Sequence, residues 1–218
     1  MITKIVYEDR DVLVVYKPAG IAVQSARIGE MDVVNEIKNY LAGRMMNPYV
    51  AVINRIDQPV HGLVLLAKTK DAAAKLSKQL TENRIQKVYR ASVCGSFTDK
   101  EGKLSDVVYK DGRSNISKVV KPGEAHYKEG KKSELEYREY APGKLEIKLL
   151  TGRHHQIRVQ MANAGHPLLG DMKYKTPESD AETRLNGVKE LALCAYALEF
   201  KHPVSGEKMS FTVDEELV

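Results

Sequence analysis

Cysteine is scarce in this chain, with two among 218 residues, Cys94 and Cys194. They lie far apart and outside any C-x-x-C pattern. That argues against a disulfide framework and fits a reducing compartment. Each is expected to fill an apolar strand position. Long apolar runs are missing too: none approaches the roughly 20 residues that a membrane span needs. The opening Met1–Asp9 has no secretory core. A cytoplasmic protein without a membrane partner is the expectation.

Several chemistries lack their usual residues. No G-x-x-x-x-G-K-S/T and no G-x-G-x-x-G occurs, so a nucleotide cofactor has no cradle of the usual kind. There is no G-x-S-x-G elbow and no convincing cysteine nucleophile. His154 and His155 are adjacent, so their side chains are expected to diverge, which excludes an i, i+4 metal pair. No Cys cluster or His-Glu pattern replaces it. The expectation is a protein with no metal and no organic cofactor.

What is present is an ordinary globular composition, 43% hydrophobic and 29% charged, with a net charge of +5. The length fits one domain over residues 1–218, built in two lobes. The mild positive balance suits a polyanionic partner without proving one. Short alternating or apolar segments at Ile2–Tyr7, Val12–Lys17, Val50–Ile53, Leu63–Ala67, Val88–Val93, Leu135–Glu139, Leu145–Leu150, Leu191–Phe200 and Met209–Val213 predict strands, most of them linked as hairpins. Helical spacing covers 31–42, ending near Gly43, and a second helix through Ala72–Leu80 is capped by Thr69 or Asp71. Few helices among hairpins predict an α+β fold with a mixed, mainly antiparallel sheet. Residues 97–133, rich in Lys, Gly, Asp and Ser, read as a polar excursion from that sheet with a short hairpin at Val107–Tyr109. An exposed loop of no special role is favoured there over one that touches a long polyanion.

Three segments carry possible chemistry. Thr151-Gly152-Arg153-His154-His155-Gln156-Ile157-Arg158 follows a strand and opens an apolar helix. Backbone N–H groups and guanidinium forks can meet an anion at such a place; a solvated turn with surface arginines is the alternative. Asp57 sits between apolar strands, two residues after Arg55, and a carboxylate there needs a cation or several donors. A structural aspartate organising the Pro59–Gly62 turn fits the same residues. Lys87-Val88-Tyr89-Arg90 opens a strand, where a tyrosine could stack on a base or act through its hydroxyl, or fill the core. An acid, arginines and a tyrosine can catalyse by attack or proton transfer without a cofactor.

Taken in chain order, these segments resemble the RluA-type pseudouridine synthase family. Tyr16-Lys17-Pro18-Ala19-Gly20 is similar to its K-P-x-G strand. Arg55-Ile56-Asp57, Gly62-Leu63 and Ala67-Lys68 are similar to its H-R-L-D-x-x-T-S-G-L-x-x-x-A-K motif. Lys87-Val88-Tyr89 is similar to K-x-Y, and Thr151–Arg158 to T-G-R-x-H-Q-I-R. Gly165-His166-Pro167-Leu168-Leu169-Gly170-Asp171-Met172-Lys173-Tyr174 is similar to the G-H-P-I-x-G-D-x-x-Y that follows. Asn54 stands where histidine is usual, Val60 and His61 where Thr-Ser is usual, and His154 where threonine is common.

The resemblance implies a mainly antiparallel sheet flanked by helices and crossed by a catalytic cleft. The fused S4-type RNA-binding domain is not expected. It implies isomerisation of flipped-out uridine in structured ribosomal or transfer RNA by a monomer. Asp57 would start cleavage of the base–ribose bond. Tyr89 would lie against the uracil, and Arg158 would pair with Asp57 and hold it ionised. Arg55 would enter the vacated stack and Ile157 would pack beside the base. Lys17, Lys87, Arg153, His154, His155, Gln156 and Lys173 are the implied RNA contacts. Two other readings stand beside this one: an inactive RNA-binding or ribosome-associated protein on the same fold, and a cofactor-free hydrolase with His154 or His155 as base.

Overall fold

The computed structural model describes residues 3–25 and 29–213. The chain divides into two compact units. The first holds the described residues up to Lys87 together with those from Cys194 onward; the second holds Val88–Leu193.

In the first unit, β1 (Lys4–Glu8) and β2 (Val12–Lys17) form an antiparallel hairpin. Ile2, the expected start of the first strand, lies outside the described residues. Asp9 closes the turn by accepting the N–H groups of Asp11 and Val12 through Oδ1 at 2.8 and 2.7 Å, the local side-chain bonding that makes aspartate a turn residue. β2 lies between β1 and β4 (His61–Ala67), antiparallel to both. Both of its faces are covered, which is why Val12, Leu13, Val14 and Val15 form an unbroken apolar run. The short β3 (Ala51–Val52) pairs with β4. β10 (Leu193–Lys201) joins β4 in parallel and carries β11 (Lys208–Thr212) antiparallel.

Two helices complete this unit. α1 (Val33–Gly43) starts where Asp32 accepts the N–H of Asn35, and it buries Val33, Val34, Ile37 and Leu41. α2 (Lys70–Thr81) is capped by Thr69, which accepts the N–H of Ala72, and packs on β4 and β3.

The second unit is an antiparallel sheet in the order β5-β9-β8-β6-β7. Its strands are β5 (Gln86–Ser92, beginning two residues before the unit), β6 (Glu101–Asp111), β7 (Ile116–Val119), β8 (Lys131–Ala141) and β9 (Lys144–Leu149). Residues 97–133 are therefore not an excursion from the sheet: β6 and β7 extend it as a hairpin, and the longest stretch off it is 120–130, with a 3-10 turn at Tyr127–Glu129. The polar composition reflects a strand with a solvent face at its start, where β6 exposes Glu101, Lys103 and Ser105.

α3 (Gln156–Asn163) packs against β7 and β6. α4 (Pro177–Leu185) has no counterpart among the expected helices; Thr176 and Ser179 cap each other in a reciprocal box with Pro177 in the first turn. Its only buried residue is Ser179, so it has no apolar stripe to read.

The architecture is α+β with mixed, mainly antiparallel pairing. Cys194 fills a buried strand position as expected, whereas Cys94 lies half-buried in the bend after β5. No helix of the described residues is long and apolar enough to cross a membrane.

Candidate active site

In the first unit, the Asp57 segment is held by its neighbours before any chemistry is considered. Ile53 donates its N–H to Leu65 O at 3.0 Å, extending the β3–β4 ladder by one step. Asn54 then leaves the ladder but braces it. Its buried amide accepts the N–H of Leu65 at 2.7 Å through Oδ1 and directs Nδ2 toward Leu63 O at 3.5 Å. The residue that departs from the family pattern thus has a structural task. Val60, buried, donates its N–H to Asp57 O at 3.0 Å and closes the turn. Asp57 is half-buried on that turn, between exposed Arg55 and exposed Gln58. Arg55 donates from Nη2 to Gln24 Oε1 at 3.1 Å. His61, another of the departures, meets the hydroxyl of Tyr16 with Nδ1 at 3.0 Å.

Lys17 ties this turn to the segment after β2. Its side chain has no exposed surface, and its ammonium donates to Pro18 O, Ile21 O and Gln58 O at 2.9, 2.8 and 3.0 Å. Gln58 and Gly20 also exchange hydrogen bonds, Gly20 N–H to Gln58 O and Gln58 Nε2 to Gly20 O, both at 2.9 Å. Burial pulls the Lys17 pKa down to about 8, and the negative charge of Asp57 resists the fall. The expectation that Lys17 contacts an RNA phosphate or sugar is corrected, because its three protons are used inside the protein. Lys87, half-buried, has its pKa lowered by burial.

In the second unit, Tyr89 lies on β5 opposite Ile147 of β9 and is 6% exposed. The Thr151–Arg158 turn is laced to β8. Thr151 Oγ1 accepts the N–H of Glu134 at 2.9 Å and donates to Gln156 Oε1 at 2.8 Å. Gln156 also accepts the N–H of Arg153 at 3.0 Å and donates to Glu134 O at 3.0 Å. Gln156 is a buried strut with its carboxamide engaged on both ends, which corrects its expected role as an RNA contact. Arg153 is exposed and uses its Nε–H on Lys132 O at 3.2 Å.

His155 takes a left-handed backbone conformation, φ 52°, immediately before α3. That turn makes the rings of His154 and His155 stack, centroids 3.8 Å apart, in place of the expected divergence. Burial brings the His154 pKa down to about 4 and that of His155 to about 2. The nearby positive charges, Arg158, Lys110 and Lys173, push both the same way. Both rings are neutral near neutral pH, so neither can serve as a cation for a phosphate. They are also poor general bases there, which weakens the hydrolase reading.

Arg158 is 3% exposed, and its firm partner is Asp171. Nε donates to Oδ2 and Nη2 to Oδ1, both at 2.7 Å, a fork-on-fork pair inside the protein. Asp171 Oδ1 also accepts the N–H groups of Lys173 and Tyr174, at 2.8 and 3.2 Å. Asp171 falls inside a motif of the sequence, yet nothing around it there marks it as the partner of Arg158. Ile157 is buried at the start of α3. Lys173 is exposed and donates to Asn115 O at 2.9 Å.

The first unit therefore offers a carboxylate on a braced turn, with an exposed arginine two residues before it. The second offers a buried tyrosine on a strand and a guanidinium fixed by a carboxylate. These groups suit proton transfer and charge stabilisation.

The comparisons with known proteins point one way. A profile of the family described as RNA pseudouridylate synthase matches residues 11–163. The chain is similar to ribosomal large subunit pseudouridine synthase D of Neisseria meningitidis serogroup A, 36% identical over 222 residues, covering 97% of this chain and 58% of that protein. It is also similar to ribosomal large subunit pseudouridine synthase C of Buchnera aphidicola subsp. Acyrthosiphon pisum, 32% identical over 216 residues, covering 96% of this chain and 66% of that protein. The chain thus spans 58% to 66% of the length of these curated relatives. Among solved structures, Human RNA Pseudouridylate Synthase Domain Containing 1 matches with a TM-score of 0.77 at 22% identity, over 98% of this chain and 83% of that one. Human RNA Pseudouridylate Synthase Domain Containing 4 matches with a TM-score of 0.74 at 18% identity, over 97% and 88%. At these identities the solved structures establish the fold.

Proposed function

Because the chain belongs to the RNA pseudouridylate synthase family, we propose that it isomerises uridine to pseudouridine in structured RNA, ribosomal RNA being the substrate class that its relatives' names favour. In this reading the N1–C1′ bond of uridine breaks and a C5–C1′ bond forms. The hydrogen on C5 leaves as a proton, so no cofactor is consumed. Asp57 supplies the carboxylate that starts the cleavage. Arg158 holds that carboxylate ionised, since a nearby cation favours the charged form. Tyr89 lies against the uracil and takes up the C5 proton while passing its own hydroxyl proton to solvent. Arg55 fills the stack vacated by the base, which must leave the helix before its glycosidic bond can be reached. Ile157 packs beside the base, and Arg153, Lys87 and Lys173 are the proposed backbone contacts.

The observation that carries the reading is the position of Asp57. A half-buried carboxylate sits on a turn anchored on both sides, by Asn54 on β4 and by Lys17 through Gln58. Such bracing holds an acid in one place, as catalysis requires.

Ribosomal RNA labelled with tritium at uridine C5 tests the reading. The protein should release tritium, and Asp57→Asn should not, while both bind RNA with similar affinity. Binding without release by the unaltered protein would leave an RNA-binding protein on the same fold. Equal release from both would remove Asp57 from the chemistry.

A further inference from the structure

The guanidinium of Arg158 is held from a second side by a closed circuit of hydrogen bonds and one ring stack. The ring of Tyr174 lies against it, with Arg158 Cζ 5.3 Å from the ring centroid, within cation–π range. The Tyr174 hydroxyl accepts the N–H of Ser117 at 2.8 Å and meets His155 Nδ1 at 2.8 Å. The pKa of His155 is brought down to about 2, chiefly by burial, so its ring is neutral, and its tautomer sets which partner donates in this bond. His155 stacks on His154. Ser117 Oγ donates to His154 O at 2.8 Å and meets His154 Nδ1 at 2.9 Å. The circuit runs Ser117, Tyr174, His155, His154 and back to Ser117, drawing on β7, the turn before α3, and the segment after Asp171. Asp171 joins it to the ion pair by accepting the Tyr174 N–H.

This arrangement is more than core filling demands. A tyrosine that only filled space would need one partner for its hydroxyl. Here the hydroxyl is engaged from two sides, by Ser117 and by His155, which fixes the ring plane. The ring plane and the Asp171 fork together fix the guanidinium plane. We propose that Tyr174 is a positioning residue for the isomerisation, holding Arg158 in the orientation in which it supports the catalytic carboxylate. The inference rests on the enzymatic reading above. It assigns Tyr174 no proton transfer, since its hydroxyl is bound to Ser117 and His155 inside the protein.

Steady-state kinetics of Tyr174→Phe and Tyr174→Leu on ribosomal RNA test it, with the folded fraction of each measured by circular dichroism. Phenylalanine keeps the ring face and loses the two hydroxyl bonds; leucine loses both. The turnover number per folded molecule should fall on the order of tenfold in Tyr174→Phe and about a hundredfold in Tyr174→Leu, as expected when a reacting group is misplaced by about 1 Å. KM for RNA should stay within about twofold, because the group acts in the transition state and not in binding. A purely structural tyrosine would lower the folded fraction and leave turnover per folded molecule untouched. If Tyr174→Leu does not fold, Tyr174→Phe alone decides. An active wild-type protein with an unimpaired Tyr174→Phe, or a change confined to KM, overturns this inference alone. A wild-type protein that releases no tritium overturns the enzymatic reading and this inference with it.

Discussion

The ammonium of Lys17 donates to the carbonyl oxygen of Gln58 at 3.0 Å, one residue beyond Asp57. The same ammonium holds Pro18 O and Ile21 O, so one buried charge fastens two chain segments. Burial lowers its pKa from 10.5 to about 8, with the charge of Asp57 opposing the shift. The folded pKa lies below the unfolded one, so the folded state releases its proton first as pH rises. Stability contributed by this group therefore grows between about pH 8 and 10.5 and is lost again as pH falls through about 8. Urea midpoints measured across that window should rise in the wild-type protein relative to Lys17→Met. The variant should be less stable at neutral pH by about 1–3 kcal/mol, because three buried carbonyls lose their donor. Parallel pH slopes in the two proteins would show that Lys17 is not the titrating group.

Gly62 in β4 faces Ala195 of β10 in parallel register. A Cβ at this position would lie 2.4 Å from Ala195 O and 2.6 Å from Ala195 N, and the backbone φ is +121°. The atoms in the way are backbone, so no rotamer change relieves the clash. Gly62→Ala should cost about 3 kcal/mol or more, through overpacking and unfavourable backbone conformation together. A urea midpoint within error of the wild type would sink this account of the β4–β10 approach.

Much of this was legible in the sequence where local rules decide the outcome. The buried run Val12–Val15, the Thr69 cap and the 31–42 helix are set by side-chain burial and capping over a few residues. Other features depend on partners far along the chain. The strands at 101–119 show mostly polar side chains, because much of β6 faces water, and composition alone reads them as a loop. α4 buries a serine in place of an apolar stripe, although Thr176-Pro177 carries a start signal. At the site, a polar side chain that meets RNA and one that braces the protein from inside look alike in sequence. Lys17 and Gln156 both turn inward, toward carbonyls of residues well separated from them along the chain. The Arg158–Asp171 pair spans 13 residues, a distance no helical or strand period reaches.

Glu139 offers a test at the other end of the pH scale. Its side chain has no exposed surface and accepts from Ser96 Oγ, Gly143 N–H and Lys100 Nζ, each at 2.7 Å. Burial alone would raise this carboxyl's pKa, but those donors outweigh it and hold the value at about 2, against 4.5. The folded pKa is depressed, so the stabilisation is complete above about 4.5 and is lost as pH falls toward about 2. Glu139→Gln should flatten the acid side of the stability curve and cost about 1–3 kcal/mol at neutral pH. Thermal unfolding at about pH 3 and about pH 7 reads both effects. An unchanged difference between the two pH values would remove Glu139 as the source.

Arg153 and Gln156 stand three residues apart in one turn, and the structure exposes the first and buries the second. Arg153 is exposed, with its Nε–H used on Lys132 O. Gln156 is buried and engaged with Thr151, Arg153 and Glu134. If Arg153 meets a phosphate, Arg153→Ala should weaken RNA binding and reduce the slope of log affinity against log salt by about 0.7–0.9, the counterion release of one contact. Its folded stability should be close to wild type, since an exposed side chain is removed. Gln156→Ala should do the reverse. It should lose about 1–3 kcal/mol of stability because buried groups lose their partners, while the affinity of the folded fraction for RNA stays within about twofold. Filter binding across a salt series, read together with urea unfolding, separates the two. A Gln156→Ala protein that is as stable as wild type but binds RNA weakly would return Gln156 to the interface, and an unchanged salt slope in Arg153→Ala would take Arg153 out of it.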